Sequence, residues 1–249
     1  MRRRWRLGQR GALAIAGLGA FACAACGVFA EQPVIAAPTP AVQPNVLQNA
    51  GFEQGADPWF AASPDRQFRV TNLKPGTGTL SLRLELPAGD AAPGPRIAGA
   101  TQRIVSDTFP EFVSGYYYVD SWESPGMSPY VEFVVSIRGG GHPDGSELHE
   151  VHFMLGGAAR EPFTSPTEAF VFLSRDEPST GQWTYFSYPV PEAIRSRLGW
   201  DPIGWEYLEL SLAVRDREGA ADGAAVADVY FDDLYLGPQL FNPNRPEDD

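Results

Sequence analysis

The 249-residue chain contains only two cysteines and a single lysine, Lys74. Both cysteines, Cys23 and Cys26, lie in the first 30 residues, so the rest of the chain cannot form an internal disulfide bond. A domain without disulfides depends for its stability on a hydrophobic core or on a bound metal. Basic residues are scarce as well, because 19 lysines and arginines are set against 31 acidic residues.

The charge is unevenly distributed along the chain. The whole chain carries −12, but residues 1–30 hold five arginines and no acid, so the remainder carries −17. Such a charge argues against nucleic acid as a partner, because phosphates attract basic surfaces. It is compatible with a soluble extracellular protein and with cation binding.

Residues 1–30 have the parts of an export signal. A basic head is followed by an uncharged stretch, residues 11–30, that ends in small residues. Although about 20 apolar residues can span a bilayer, the abundance of alanine and glycine favours cleavage over a retained anchor. Cleavage after Ala30 predicts a secreted protein, whereas lipidation of Cys26 predicts a cell-surface lipoprotein. In either case we expect membrane contact only through the signal or a lipid anchor.

Three further segments follow the signal. Residues 31–44 contain four prolines and form a linker rich in proline and alanine. Residues 242–249 form an acidic tail that is expected to be disordered. Residues 45–241 lie between them and are long enough for one domain with its own core.

The domain is predicted to be an all-β antiparallel sandwich with one short helix. Apolar and polar residues alternate in several short segments separated by Gly and Pro clusters, a pattern typical of sandwiches and barrels. One helix is predicted at Pro191–Leu198, with Pro191 near its start and Gly199 after its end. The predicted strands are Arg69–Thr71, Leu80–Leu86, Tyr116–Val119, Tyr130–Ile137, Val151–Leu155, Ala169–Leu173, Trp183–Val190, Tyr207–Val214 and Val226–Leu236.

Four phrases of the sequence carry a family resemblance. The domain opens with NVLQNAGFEQGADPWF (residues 45–60) and closes with ADVYFDDLYLG (residues 227–237), and LSLRL (80–84) and QWTYFSYPVP (182–191) lie between. Together they resemble carbohydrate-binding modules of the galactose-binding-like jelly-roll superfamily, the type attached to bacterial xylanases and endoglucanases. The resemblance spans residues 45–237 and implies a non-catalytic domain that binds polysaccharide.

The resemblance also implies a structural calcium ion where the opening loop meets the last strand. Glu53 and Asp232 match the family's carboxylate positions, and Ca²⁺ prefers such oxygen ligands. Strand alternation predicts that Asp233 points to the other face. The alternative is that Glu53 and Asp232 are ordinary solvated carboxylates.

Five tryptophans are candidates for sugar stacking, because sugar rings present apolar faces to aromatic side chains. Trp122 closes an aromatic strand before a turn, and with Tyr118 and Tyr130 it is the predicted ligand-binding group; the alternative is that Trp122 belongs to the core. Trp183, at a family core position, and Trp59 are predicted to be buried. Trp200 and Trp205 are predicted to pack in loops.

The three histidines do not indicate zinc. His149 and His152 are three residues apart on a predicted strand and therefore face opposite sides, and His142 lies in a long polar hairpin. No nucleophile elbow or phosphate loop is found in the sequence. We therefore expect an exported, non-catalytic domain that binds polysaccharide or a cell-surface glycan. An adhesive or structural envelope domain that binds protein is the first alternative, and a jelly-roll glycoside hydrolase or lyase is the second.

Overall fold

The computed structural model describes residues 45–63, 68–88, 94–124, 129–139, 145–157, 165–216 and 225–238. The predicted signal, linker and acidic tail lie outside these ranges, as does His142. The described strands are β1 (Phe60–Ala61), β2 (Arg69–Thr71), β3 (Ser81–Leu86), β4 (Arg96–Ile104), β5 (Phe112–Glu123), β6 (Tyr130–Arg138), β7 (Leu148–Gly156), β8 (Glu168–Phe172), β9 (Trp183–Pro189), β10 (Tyr207–Asp216) and β11 (Val226–Gly237).

The strands form two sheets, which confirms the predicted β-sandwich. One sheet has six strands in the order β1-β4-β10-β6-β7-β8, and the other has five in the order β2-β3-β11-β5-β9. All described strand pairs are antiparallel except β7 with β8, which is parallel.

The hydrophobic core lies between the two sheets. The ring of Phe133 stacks on Phe153 with centroids 4.5 Å apart and on Phe186 at 5.0 Å. Phe133 and Phe153 belong to the six-stranded sheet and Phe186 to the five-stranded sheet, so these rings join the two layers. Trp59 is buried as predicted and packs on Phe52 at 5.4 Å.

All nine predicted strands are present, but two further strands are not evident from the sequence. β4 was missed because its core-facing positions carry alanines instead of bulky apolar residues. Gly99 lies between these alanines and faces the other side of the sheet. A Cβ there would lie 2.8 Å from the Leu212 carbonyl oxygen and 2.9 Å from the Ala62 Cβ, so β10 and the residue after β1 leave room only for glycine at this position.

The predicted helix is confirmed as α1 (Val190–Leu198). Pro191 lies in its first turn, and Gly199 ends it in the left-handed conformation with φ of 76°. The Gly199 N–H bonds the carbonyls of Ile194 and Arg195. Within the described ranges, no helix is long and apolar enough to cross a membrane.

The opening segment lies along β11, so the two ends of the domain meet. The Val46 N–H donates to the Leu236 carbonyl at 2.9 Å, and the Leu234 N–H donates to the Ala50 carbonyl at 3.1 Å. The Asn45 side chain completes the contact by donating to the Leu234 carbonyl and accepting from the Leu236 N–H. This contact brings the opening and closing phrases of the sequence together.

Candidate functional site

A row of directly paired residues crosses the outer side of the five-stranded sheet. The core-facing residues of these strands, such as Leu84, Val229 and Val119, alternate with side chains on the opposite side. On that outer side the strand register pairs Arg69, Arg83, Tyr230, Tyr118 and Trp183 in sequence from β2 to β9. The Tyr118 ring lies 5.6 Å from Trp183 and 6.2 Å from Tyr230.

A second aromatic pair lies beside this row. Tyr116 is paired with Tyr185, and their ring centroids are 5.1 Å apart. We call the surface made by Tyr116, Tyr118, Trp183, Tyr185 and Tyr230 the aromatic face. Tyr230 is buried at the base of this surface, whereas the other four rings are half-buried and reach solvent.

Two ion pairs frame the aromatic face. The Arg83 guanidinium donates to both carboxylate oxygens of Asp228 at 2.8 Å and lies 5.9 Å from the Tyr230 ring. The Lys74 ammonium lies 2.9 Å from an Asp120 carboxylate oxygen and 5.0 Å from the Tyr118 ring centroid. The hydrogen bond to Asp120, followed by that to Tyr118, raises the pKa of Lys74, so this group is a cation at neutral pH.

Burial raises the pKa of Tyr230 to about 12, and the neighbouring charge of Asp228 contributes to the shift. The phenol is therefore neutral at physiological pH. Its hydroxyl donates a hydrogen bond to the Asp228 carboxylate at 3.4 Å. Rings, donors and acceptors thus lie side by side on this surface.

The structure does not bring the three predicted ligand residues together. Tyr118 lies on the aromatic face, but Trp122 packs against the core. The cause is a β-bulge: Val119 pairs with Val229 and Ser121 with Asp228, so one extra residue stands between them and the alternation reverses. The Trp122 ring also reaches Gly157, where a Cβ would lie 2.6 Å from Cζ2.

Tyr130 belongs to the other sheet. Its ring is 3% exposed and packs with Met154, Phe170 and Phe172. A ligand on the aromatic face therefore has no direct contact with Tyr130, and the structure places this residue in a satellite hydrophobic cluster.

The predicted burial of Trp183 is corrected. On β9, Phe186 faces the core, so alternation places Trp183 and Tyr185 outward, where both are half-buried. The sequence carried this signal, because residues 183, 185 and 187 form one side of the strand and Tyr116 and Tyr118 form one side of β5. The family position of Trp183 predicts burial, whereas alternation along β9 predicts the outward position that the structure shows. Trp200 is buried beside His149, and Trp205 packs on Phe109, as expected for loop-packing residues.

Glu53 and Asp232 both hold the loop between β2 and β3. The fully buried Asp232 carboxylate accepts hydrogen bonds from the Gly76 and Thr77 N–H groups at 2.8 and 3.0 Å. Glu53 accepts from the Thr79 and Leu80 N–H groups at 2.8 and 2.9 Å and from the Thr79 hydroxyl at 2.7 Å. The hydrogen bond from the Thr79 hydroxyl contributes most to a lowered pKa of Glu53, and the two backbone hydrogen bonds add to it. Burial, in contrast, raises the pKa of Asp232 to about 6.

Asp233 does not follow the predicted alternation. The register between β5 and β11 shifts after Asp232, and Asp233 has a φ of 47°. As a result both aspartates approach Gly51, where a Cβ would lie 3.7 Å from Asp232 Oδ1 and 3.8 Å from Asp233 Oδ1. Burial, with a further contribution from the Glu53 charge, raises the pKa of Asp233.

The residues around Gly51 supply the oxygen chemistry that calcium prefers. However, the carboxylates of Glu53 and Asp232 are directed at N–H and O–H donors of the loop. Across the described ranges, no group of three or more His, Cys, Asp or Glu side chains is arranged to hold a metal ion. Calcium binding by Glu53 and Asp232 therefore stays a prediction.

A second cluster of charged side chains lies on the six-stranded sheet. His152 Nδ1 lies 3.0 Å from a carboxylate oxygen of the buried Glu132, which also contacts the Arg215 guanidinium. The other ring nitrogen of His152 lies 3.8 Å from Glu150, whose carboxylate accepts from the Ser136 hydroxyl at 2.8 Å. Burial opposes protonation, but the hydrogen bonds to Glu132 and Glu150 raise the pKa of His152 to about 9.

No family model matches the chain, and no curated protein matches it. Solved structures do resemble it. One is TmCBM61 in complex with β-1,4-galactotriose, with 13% identity and a TM-score of 0.42 over 79% of this chain and 99% of that chain. A second is a non-crystalline cellulose specific carbohydrate-binding module of family 28, with 10% identity and a TM-score of 0.44 over 79% and 97%.

A third similar structure is the enzymatically active domain of the bacteriophage CBA120 tailspike protein 4. It has 12% identity and a TM-score of 0.43 over 78% of this chain, which spans only 21% of that chain. The predicted resemblance to carbohydrate-binding modules is thus found among solved structures. It is a likeness of fold.

Proposed function

We propose that this domain binds a glycan on the aromatic face of its five-stranded sheet. One observation carries the proposal: four aromatic rings, Tyr116, Tyr118, Trp183 and Tyr185, lie half-buried on the outer side of one sheet. The outer side of an antiparallel sheet that faces only water is normally polar. A contiguous exposed aromatic surface with polar groups at its border is typical of an interaction site.

The chemistry of this surface suits a sugar better than an apolar ligand. Pyranose rings present C–H groups to aromatic rings, and their hydroxyls need hydrogen-bond partners at the border. The Lys74–Asp120 and Arg83–Asp228 pairs supply both donors and acceptors beside the rings. Solved modules of similar fold are named for galactotriose and cellulose, which supports the same class of ligand for this chain.

We propose further that binding is not followed by catalysis. Two acidic side chains beside the aromatic rings are paired with cations, since Asp228 binds Arg83 and Asp120 binds Lys74. The buried Glu132 and the half-buried Glu150 are similarly paired with His152. Ion pairs of this kind support a binding or structural role for these carboxylates.

The N-terminal segment supports a location where such ligands occur. Residues 1–30 have the composition of an export signal, and we propose that the domain acts outside the cytoplasm as a secreted protein or a lipoprotein attached through Cys26. Mass spectrometry of the protein from its native envelope tests this proposal. A chain beginning at Cys26 or Glu31 supports export, whereas an intact segment 1–30 contradicts cleavage.

A glycan array tests the binding function directly. The domain beginning at residue 45 is applied to neutral and acidic oligosaccharides, and each hit is measured by calorimetry in solution. Saturable binding to a defined glycan supports the proposal. Absence of binding across the array, with a domain shown to be folded by its thermal transition, contradicts it.

A further inference from the structure

The loop between β2 and β3, residues 72–80, reaches both rings at one end of the cross-strand row. Its residue Lys74 is the only lysine of the chain. The Lys74 ammonium donates to the Tyr118 hydroxyl at 3.3 Å and lies 5.0 Å from the ring centroid. Two residues later the loop backbone passes Trp183, since a Cβ on Gly76 would lie 3.3 Å from Trp183 Cε2. The loop is therefore a wall of the aromatic face.

The position of this wall is fixed by Glu53 and Asp232. Together they accept four backbone N–H hydrogen bonds from the loop, donated by Gly76, Thr77, Thr79 and Leu80. The Lys74 carbonyl is held separately, by the Ser81 hydroxyl at 2.6 Å. Asp232 is itself paired with Tyr116 across the strands β11 and β5. Glu53 belongs to the opening segment and to none of the five strands of this sheet, so its bonds act on the aromatic face through the loop.

The Lys74–Asp120 pair is accessible to a ligand beside the rings. Both side chains are more than one third exposed, and their nitrogen and oxygen lie 2.9 Å apart. Neighbouring hydroxyls on a sugar ring can accept a hydrogen bond from an ammonium and donate one to a carboxylate. The pair thus offers one donor and one acceptor at a spacing suited to two adjacent hydroxyls.

Two cations contact the rings of the aromatic face, and each of them is already paired with a carboxylate. Lys74 is neutralised by Asp120, and Arg83 is neutralised by Asp228 through two hydrogen bonds. A sugar carboxylate that approached Lys74 would have to compete with Asp120 and would face its negative charge. Like charges brought together in this way disfavour the wrong ligand.

We propose that Lys74 is a specificity-determining contact for a neutral glycan and that Glu53 is a positioning residue that acts through it. This inference depends on the proposed function, because it assigns roles to residues of the same face. Removal of Glu53 is expected to lower the affinity for the neutral glycan because Lys74 is displaced. The same removal should have no such effect once Lys74 is absent.

The test uses the neutral oligosaccharide with the strongest array signal, and oligogalacturonate as the acidic probe. Lys74→Met is expected to weaken binding of the neutral probe by roughly tenfold, while the melting temperature changes little because the ion pair is exposed. Lys74→Arg keeps the charge and should restore part of the affinity. Arg103→Met, which removes an exposed base paired with Glu209 on the other sheet, is the matched control and should bind as the wild type.

A double-mutant cycle tests the positioning role. Glu53→Ala alone is expected to weaken binding, and Glu53→Ala combined with Lys74→Met should bind no worse than Lys74→Met. If Glu53→Ala fails to fold, Thr79→Val replaces it, because it removes only the hydroxyl donor to Glu53. Additive losses in affinity overturn the positioning role.

The remaining outcomes separate this inference from the proposed function. Wild-type affinity in Lys74→Met, together with loss of binding in Trp183→Ala, overturns the role of Lys74 but leaves glycan binding in place. Stronger binding of oligogalacturonate than of the neutral probe overturns the ligand class. A folded wild-type domain that binds nothing on the array contradicts the proposed function itself.

Discussion

Trp183 and Tyr118 are directly paired residues of neighbouring strands, and their rings lie 5.6 Å apart on the outer side of the five-stranded sheet. Both rings are half-buried, so each retains an exposed surface. On the same strands, Phe186 and Tyr117 point the other way and fill the core. Strand alternation thus divides the aromatic residues of β5 and β9 between the core and the proposed binding surface.

The division predicts the effect of removing Trp183. Trp183→Ala should weaken glycan binding by about 1 to 3 kcal/mol, the range for loss of one aromatic contact in an interface. The loss of stability should be smaller than for a core residue because the ring is only half-buried. Calorimetric titration with the array ligand and a thermal melt measure the two effects.

Tyr207→Ala is the matched control for that experiment. Tyr207 is also a half-buried aromatic residue at an outer sheet surface, where it lies under Arg103 at 4.3 Å, but it belongs to the six-stranded sheet. Its removal should leave the affinity unchanged. Equal losses of affinity in Trp183→Ala and Tyr207→Ala would count against the aromatic face as the site.

Trp122 is predicted to behave in the opposite way. It packs on the core from the inner side of β5 and against Gly157, so Trp122→Ala leaves a cavity. We expect a loss of about 3 kcal/mol in the free energy of unfolding, at the lower end for a large aromatic residue because the ring is not fully buried. Denaturant unfolding measures this loss. A stable Trp122→Ala that no longer binds glycan would restore Trp122 as a ligand residue.

Trp122 shows why the fold could be predicted from the sequence and part of the site could not. Alternating apolar residues predict nine of the eleven described strands, and Pro191 with Gly199 predicts the helix, because these signals are local. The face on which Trp122 lies depends on one extra residue near Asp120, and this bulge is defined only by pairing with β11.

The same limit applies to Asp233 and to Lys74. Asp233 was assigned to the wrong side because a register shift after Asp232 breaks the alternation. Lys74 was not predicted as a site residue, since its position over Tyr118 results from a loop held by residues 21 and 158 positions away in sequence. Contacts of such long range follow from the assembled sandwich and leave no local pattern.

The predicted calcium ion has a distinct thermal signature. If calcium binds near Glu53 and Asp232 in the folded state only, added Ca²⁺ should raise the melting temperature and a chelator should lower it. Glu53→Gln and Asp232→Asn should abolish the response to Ca²⁺, whereas Glu111→Gln, at an exposed acid elsewhere, should keep it. A melting temperature that changes neither with Ca²⁺ nor with chelator would contradict calcium binding. The carboxylates would then hold the loop through their hydrogen bonds alone.

The cluster around His152 predicts a pH dependence of stability. Hydrogen bonds to Glu132 and Glu150 raise the pKa of His152 from 6.5 to about 9, although burial opposes the shift. A histidine whose pKa is higher in the folded than in the unfolded state binds its proton more tightly when folded. Its contribution to stability is therefore complete below pH 6.5 and disappears as the pH rises through about 9.

Denaturant unfolding at pH 6.5, 8 and 9.5 measures this contribution. The free energy of unfolding should decrease over that interval in the wild type, and the decrease should be smaller in His152→Gln, which cannot carry the proton. Ser136→Ala is a useful control, because it removes a hydrogen bond to Glu150 but leaves the imidazole and Glu132 in place. It should lower the stability while keeping most of the slope. Equal slopes in the wild type and His152→Gln would show that folding does not raise the pKa of His152. The contact between Arg215 and the buried Glu132 would then be the ion pair that stabilises this cluster.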